Sequence, residues 1–66
     1  MGEMTKLEFC ERFVAEMMTY ASVYEGSPAD LLAYADEVAP TYWEERDQRS
    51  EGPEECARAD AGYWGE

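Results

Sequence analysis

Between Thr5 and Gly26 the chain repeats apolar residues at the period of an α-helix, and this stretch limits the fold more than any other. Leu7, Cys10, Phe13, Val14, Met17, Met18, Ala21 and Tyr24 recur at mostly three- and four-residue spacings. They therefore share one side of a helix with 3.6 residues per turn. On a helical wheel they cover about half the circumference, and Glu8, Glu11, Arg12, Glu16 and Thr19 fill the other half. Thr5 and Glu8 stand in the S/T-x-x-E arrangement of a capping box, with Met4 and Phe9 at hydrophobic-staple positions around it. The pattern predicts an amphipathic helix over 6–24, stopped near Gly26.

Two more start signals come next. Ser27 can cap, Pro28 suits a first helical position because its missing N–H costs nothing there, and Asp30 complements the dipole. Leu31, Tyr34, Ala35 and Val38 form the next stripe, with Leu32 and Ala39 at its edge. Pro40 is expected to close this helix, 28–39, since the residue before a proline is pushed out of helical geometry. Thr41 and Glu44 repeat the capping box and predict a short helix over 42–49, pinned by Tyr42 and Trp43, with Glu45 and Arg49 paired at i,i+4. Gly52-Pro53 then breaks the chain, and the ending DAGYWGE lies among glycines. No alternating β-branched segment and no Asn-Gly or Asp-Gly turn suggests a strand.

The expected fold is all-α: a small three-helix bundle in residues 1–51, followed by an acidic, aromatic-containing extension over 52–66 that is irregular or holds one or two helical turns in Glu54–Asp60, since Pro53 suits a helix start. Leu7, Phe13, Val14, Met17, Leu31, Leu32, Ala35 and Val38 are its expected core. A chain of 66 residues buries only about 60% of the surface that its unfolded form exposes, so that core is marginal.

Small size and composition together narrow the chemistry. There is no histidine, and the carboxylates fall on polar faces where water keeps them ionised, so a general acid–base pair is not expected. Cys10 sits on the apolar stripe with no histidine to activate it, and no catalytic residue is assigned. Cys10 and Cys56 lack the partners of a tetrahedral zinc site. The acids of 47–55 lack an EF-hand loop, so neither metal nor cofactor is expected. With no long apolar run, neither a membrane span nor a secretory leader is expected, and the setting is read as cytoplasmic with both cysteines free, a Cys10–Cys56 disulfide being the alternative.

What stands out is charge. Sixteen acids against five bases give −11, while 45% hydrophobic and 14% aromatic residues still supply a core. In 41–55 six acids face only Arg46 and Arg49, directly after Tyr42-Trp43. Such a field repels nucleic acid and anionic membranes and favours a basic partner. Solubility alone asks for a net charge of about 2–8 in a small domain, with the signs mixed. The candidate partner-binding residues are Asp36, Glu37, Glu44, Glu45, Asp47, Glu51, Glu54 and Glu55, with Tyr42 or Trp64 as an apolar anchor. Carboxylates a few residues apart can approximate the charge spacing of duplex DNA. The competing readings are a purely solubilising face, and an adaptor or antitoxin-like module that binds through an aromatic or apolar patch. Helix 1 is apolar around half its girth, a generous width for one short partner helix, so a homodimer is a further expectation.

In size, charge and lack of catalytic residues the chain resembles the small acidic anti-CRISPR and DNA-mimic proteins of phages and mobile elements. The resemblance rests on overall character and carries over no motif. It implies a stoichiometric inhibitor, acting in a bacterial host cell, that occupies a Lys/Arg-rich DNA-recognition groove such as that of a CRISPR surveillance complex.

Overall fold

The computed structural model describes residues 4–64, and all of its regular structure is helical. Helix α1 spans Lys6–Met18, a 3-10 turn covers Ala21–Val23, α2 spans Pro28–Glu44, α3 spans Arg46–Glu51 and α4 spans Pro53–Ala61.

Helix α1 starts as its sequence suggests, with the Thr5 hydroxyl accepting the Glu8 N–H at 3.1 Å. It ends earlier than expected. The Thr19 hydroxyl donates to the Glu16 carbonyl at 2.6 Å, and the Thr19 and Tyr20 amides donate to carbonyls three residues back rather than four. A hydroxyl competing for backbone acceptors tightens the turn in this way, and the chain continues as a 3-10 turn.

Helix α2 opens with a complete capping box, in which Ser27 accepts the Asp30 N–H and the Asp30 carboxylate accepts the Ser27 N–H. It then runs through Pro40 to Glu44, where a stop and a new helix start were expected. A proline in a helix interior costs about 3 kcal/mol. Continuing the helix places the Tyr42 ring on Phe13, centroids 5.1 Å apart, and the Trp43 ring edge-on to Phe9 at 5.5 Å. Tyr42 and Trp43 are half-buried, and at about 1.5–3 kcal/mol for a fully buried large apolar side chain their partial burial offsets much of the proline cost. Extended backbone at Glu45 (φ −82°, ψ 113°) then separates α2 from the six-residue α3.

The largest departure lies after Gly52. Residues 53–61 are a helix packed on α1 rather than an irregular extension. Pro53, Cys56, Ala57 and Asp60 recur at i, i+3, i+4 and i+7, the face of an amphipathic helix, and all four are buried. The chain after residue 51 therefore shares the core of the residues before it.

That core comprises Phe9, Phe13 and Met17 of α1, Leu31, Ala35 and Ala39 of α2, and Cys56 and Ala57 of α4. Of the expected core, Phe13, Met17, Leu31 and Ala35 are fully buried, and Val14 and Val38 are half-buried. Leu7 and Leu32 are corrections: they are 70% and 44% exposed. Helices α2 and α4 cover the sector of α1 around Phe9, Phe13 and Met17. Leu7 lies roughly 120° around the helix from Phe13, beyond the reach of either. Alanines at 35, 39 and 57 let the helices approach closely.

Candidate acidic interface

Charge remains on the outside because the apolar stripes take the inside. Fourteen of the sixteen acids fall among the described residues. Three of these are ion-paired: Glu44 with Lys6 at 3.7 Å, Glu54 with Arg12 at 2.8 Å, and Glu55 with Arg58 at 3.1 Å. Asp60 is buried. The remaining ten are at least partly exposed and have no basic group within 4.0 Å among the described residues.

The sequence-derived candidates divide accordingly. Asp36, Glu37, Glu45, Asp47 and Glu51 are exposed and unpaired, the first two on α2, Glu45 at the α2–α3 junction, the last two on α3. Glu44 and Glu55 are exposed but partly neutralised by Lys6 and Arg58. Glu54 accepts two hydrogen bonds from the Arg12 guanidinium, at 2.8 and 3.1 Å, which ties α4 to α1. Arg49 does not pair with Glu45 as the i,i+4 spacing suggests. Its guanidinium lies over the Trp43 ring, 4.7 Å from the centroid.

Neither candidate aromatic anchor stands free. Tyr42 packs on Phe13 and donates its hydroxyl to Asp60. Trp64 is half-buried against Tyr24, ring centroids 4.9 Å apart. The exposed aromatic is Tyr63 instead.

Beneath this surface lies a polar cluster that sequence reasoning missed. Asp60 accepts the Tyr34 hydroxyl at 2.6 Å on one carboxylate oxygen and the Tyr42 hydroxyl at 2.8 Å on the other. Burial, with the hydrogen bond and negative charge of Asp60, pushes the Tyr34 phenol up to about 12 and raises that of Tyr42 in the same direction. The position of Asp60 on the Pro53–Cys56–Ala57 stripe was the available signal, because an acid on an apolar face needs donors.

The cysteines are free thiols. Burial raises the Cys56 pKa to about 11, with Glu51 and Glu55 adding to the shift, and its S–H donates to the Gln48 carbonyl at 3.1 Å. Burial also raises Cys10. Both are therefore mainly protonated near neutral pH, the unreactive form of a thiol.

Two open grooves border the helices. One, of about 490 Å³, is lined by Met4, Phe9, Trp43, Arg46, Arg49 and Ser50. The other, of about 340 Å³, is lined by Leu7, Cys10, Glu11, Val14, Ala15 and Asp36. Among the described residues no helix is long and apolar enough to cross a membrane, and no cluster of acids and cysteines is arranged to hold a metal ion. Comparisons with family models, with characterised proteins and with solved structures find no match to this chain.

Proposed function

We propose that this protein is a stoichiometric inhibitor that occupies the basic nucleic-acid-recognition surface of a protein complex by presenting the charge of DNA. A CRISPR surveillance complex, or another DNA-binding defence protein in the bacterial cytoplasm, is the favoured target. The observation that carries the reading is the set of ten carboxylates, nine of them exposed and one half-buried, without ionic partners among the described residues on a frame of packed helices. Helical carboxylates keep their spacing, so a basic groove meets a patterned field rather than a diffuse one.

The dimensions support the comparison. The longest extent, 37 Å, is close to one turn of duplex, about 34–36 Å. Over that length a duplex carries about 22 charges, and the protein carries a net −11.

A second reading rests on the exposed Leu7 and the groove it shares with Cys10 and Val14. These suit an apolar contact, either in an interaction module or with a second copy of the chain.

The two readings separate in a competition assay. Labelled target duplex is bound to purified surveillance complexes, and the protein is titrated in at about 50 and about 200 mM salt. The mimic should displace duplex at one equivalent and weaken steeply at the higher salt, because exposed charges are screened. Changing Glu37, Glu45 and Asp47 together to Lys should abolish displacement while the helical circular dichroism persists. Displacement by that variant at parental strength would reduce the acids to a solubilising face. Loss on Leu7→Ser instead would favour the apolar contact.

A further inference from the structure

Three of the five basic side chains are ion-paired: Lys6, Arg12 and Arg58. The other two, Arg46 and Arg49, have no carboxylate oxygen within 4.0 Å among the described residues, although acids outnumber bases by more than three to one. Both line the same groove of about 490 Å³. They sit three positions apart on α3, which makes them surface neighbours, and like charges so placed repel. An anion held between them removes that repulsion and gains the forked, charge-assisted hydrogen bonds that guanidinium groups form.

The rest of the lining is Met4, Phe9 and Trp43, with Ser50 as a further polar group. Phe9 and Trp43 meet edge-on at 5.5 Å, Met4 borders them, and the Arg49 guanidinium lies over the Trp43 ring. A guanidinium carries five N–H donors, and none of those of Arg49 meets a carboxylate among the described residues. The volume falls within the 300–1,000 Å³ range typical of small-molecule sites, which are mostly apolar with a few converging polar groups.

We propose that this groove binds a small organic anion with an aromatic body, its ring against Met4 and the exposed part of Trp43 and its anionic group between Arg46 and Arg49. The site uses none of the candidate acidic residues, although it shares α3 with Asp47 and Glu51, and it does not depend on the inhibitor reading. The net negative charge of the protein slows capture of an anion from a distance, but at physiological salt that field is screened beyond about 8 Å.

The test is a titration of the isotopically labelled protein with phenyl phosphate, followed by amide, indole and arginine side-chain NMR signals. Inorganic phosphate and benzyl alcohol serve as the separate halves of the probe. Saturable shifts centred on the Trp43 indole and the Arg46 and Arg49 side chains are expected, with Kd at or below about 1 mM. Each half alone should bind at least tenfold more weakly. Arg46→Gln, at an exposed position that leaves the Arg49–Trp43 stack in place, should weaken phenyl phosphate at least fivefold with the helical signal unchanged. The same variant should displace duplex from a surveillance complex as the parent does, which separates failure here from failure of the inhibitor reading. The proposal is overturned by any of four results: no saturation by about 10 mM, shifts centred elsewhere, inorganic phosphate binding as tightly as phenyl phosphate, or Arg46→Gln binding like the parent.

Discussion

Replacing Asp60 with alanine sets two electrostatic arguments against each other. In a protein of net charge −11, deleting one carboxylate should relieve self-repulsion and, if anything, stabilise the fold. Local geometry demands the opposite sign, because Asp60 is 9% exposed and accepts the Tyr34 and Tyr42 hydroxyls at 2.6 and 2.8 Å. Hydrogen bonds to a charged acceptor are worth about 1.5–3 kcal/mol each. Both tyrosines are half-buried, so their freed hydroxyls regain some water, and the low end of that range applies. Asp60→Ala should therefore cost about 3 kcal/mol, most of the ~3–5 kcal/mol available to a domain of this size. Asp60→Asn, which keeps the volume and one acceptor oxygen, should cost about half as much. Urea unfolding monitored by circular dichroism reads this directly: with a slope near 1 kcal/mol per molar, the Asp60→Ala midpoint should fall by about 3 M. Asp47→Ala on the exposed side of α3 is the control and should move stability by no more than about 0.5 kcal/mol. An Asp60→Ala midpoint equal to or above that of the parent would refute the claim that this cluster holds α4 in place.

The same cluster predicts loss of stability in alkali. The folded-state pKa of Tyr34, about 12, lies above its ordinary value of 10, so the folded protein holds that proton more tightly than the unfolded chain. The resulting stabilisation is complete below pH about 10 and disappears as pH rises through about 12. After allowance for solvent at a half-buried ring it amounts to about 1–2 kcal/mol, and the raised Tyr42 acts in the same direction. Urea midpoints measured at rising pH should decline over that window, and the decline should shrink in Tyr34→Phe; a flat profile would contradict the geometry. At Gly52 the backbone has φ +100° and ψ 154° with nothing within 4 Å of an added Cβ. Gly52→Ala should thus cost about 1–3 kcal/mol through backbone strain alone, visible as a lower melting temperature, and an unchanged melt would show that the α3–α4 junction adopts another conformation.

Local signals reveal the helix starts and little of the helix ends. Thr5 and Ser27 cap because each needs only a hydroxyl and a backbone N–H three residues on. Whether α2 stops at Pro40 is decided by tertiary contacts of the residues beyond it. Tyr42 and Trp43 reach Phe13 and Phe9 only if α2 continues, and a sequence window cannot weigh that burial against a proline. Residues 53–61 look too polar for a packed helix because Glu54, Glu55, Arg58 and Asp60 dominate their composition. Their narrow buried face of Pro53, Cys56, Ala57 and Asp60 is nevertheless present at helical spacing. An acid on that face breaks the pattern until two tyrosines from α2 complete it.

The acidic surface is the more legible part, since charged residues off an apolar stripe stay in water whatever the topology. Which of them remain uncompensated is not legible, because that depends on contacts between residues far apart in sequence. Arg12 and Glu54 are 42 residues apart, and Lys6 and Glu44 are 38 apart; both pairs exist only once α2 and α4 have docked on α1. Docking of α4 has two effects on the field. It withdraws Asp60 and Glu54 from the outward-facing charge, and it fixes α3, which bridges α2 and α4 and carries Asp47 and Glu51, in one orientation. The charge mimicry proposed above depends on the second effect more than it suffers from the first. A mobile chain of the same composition would lose entropy on entering a basic groove, whereas carboxylates already held on packed helices enter it with most of that cost met in folding.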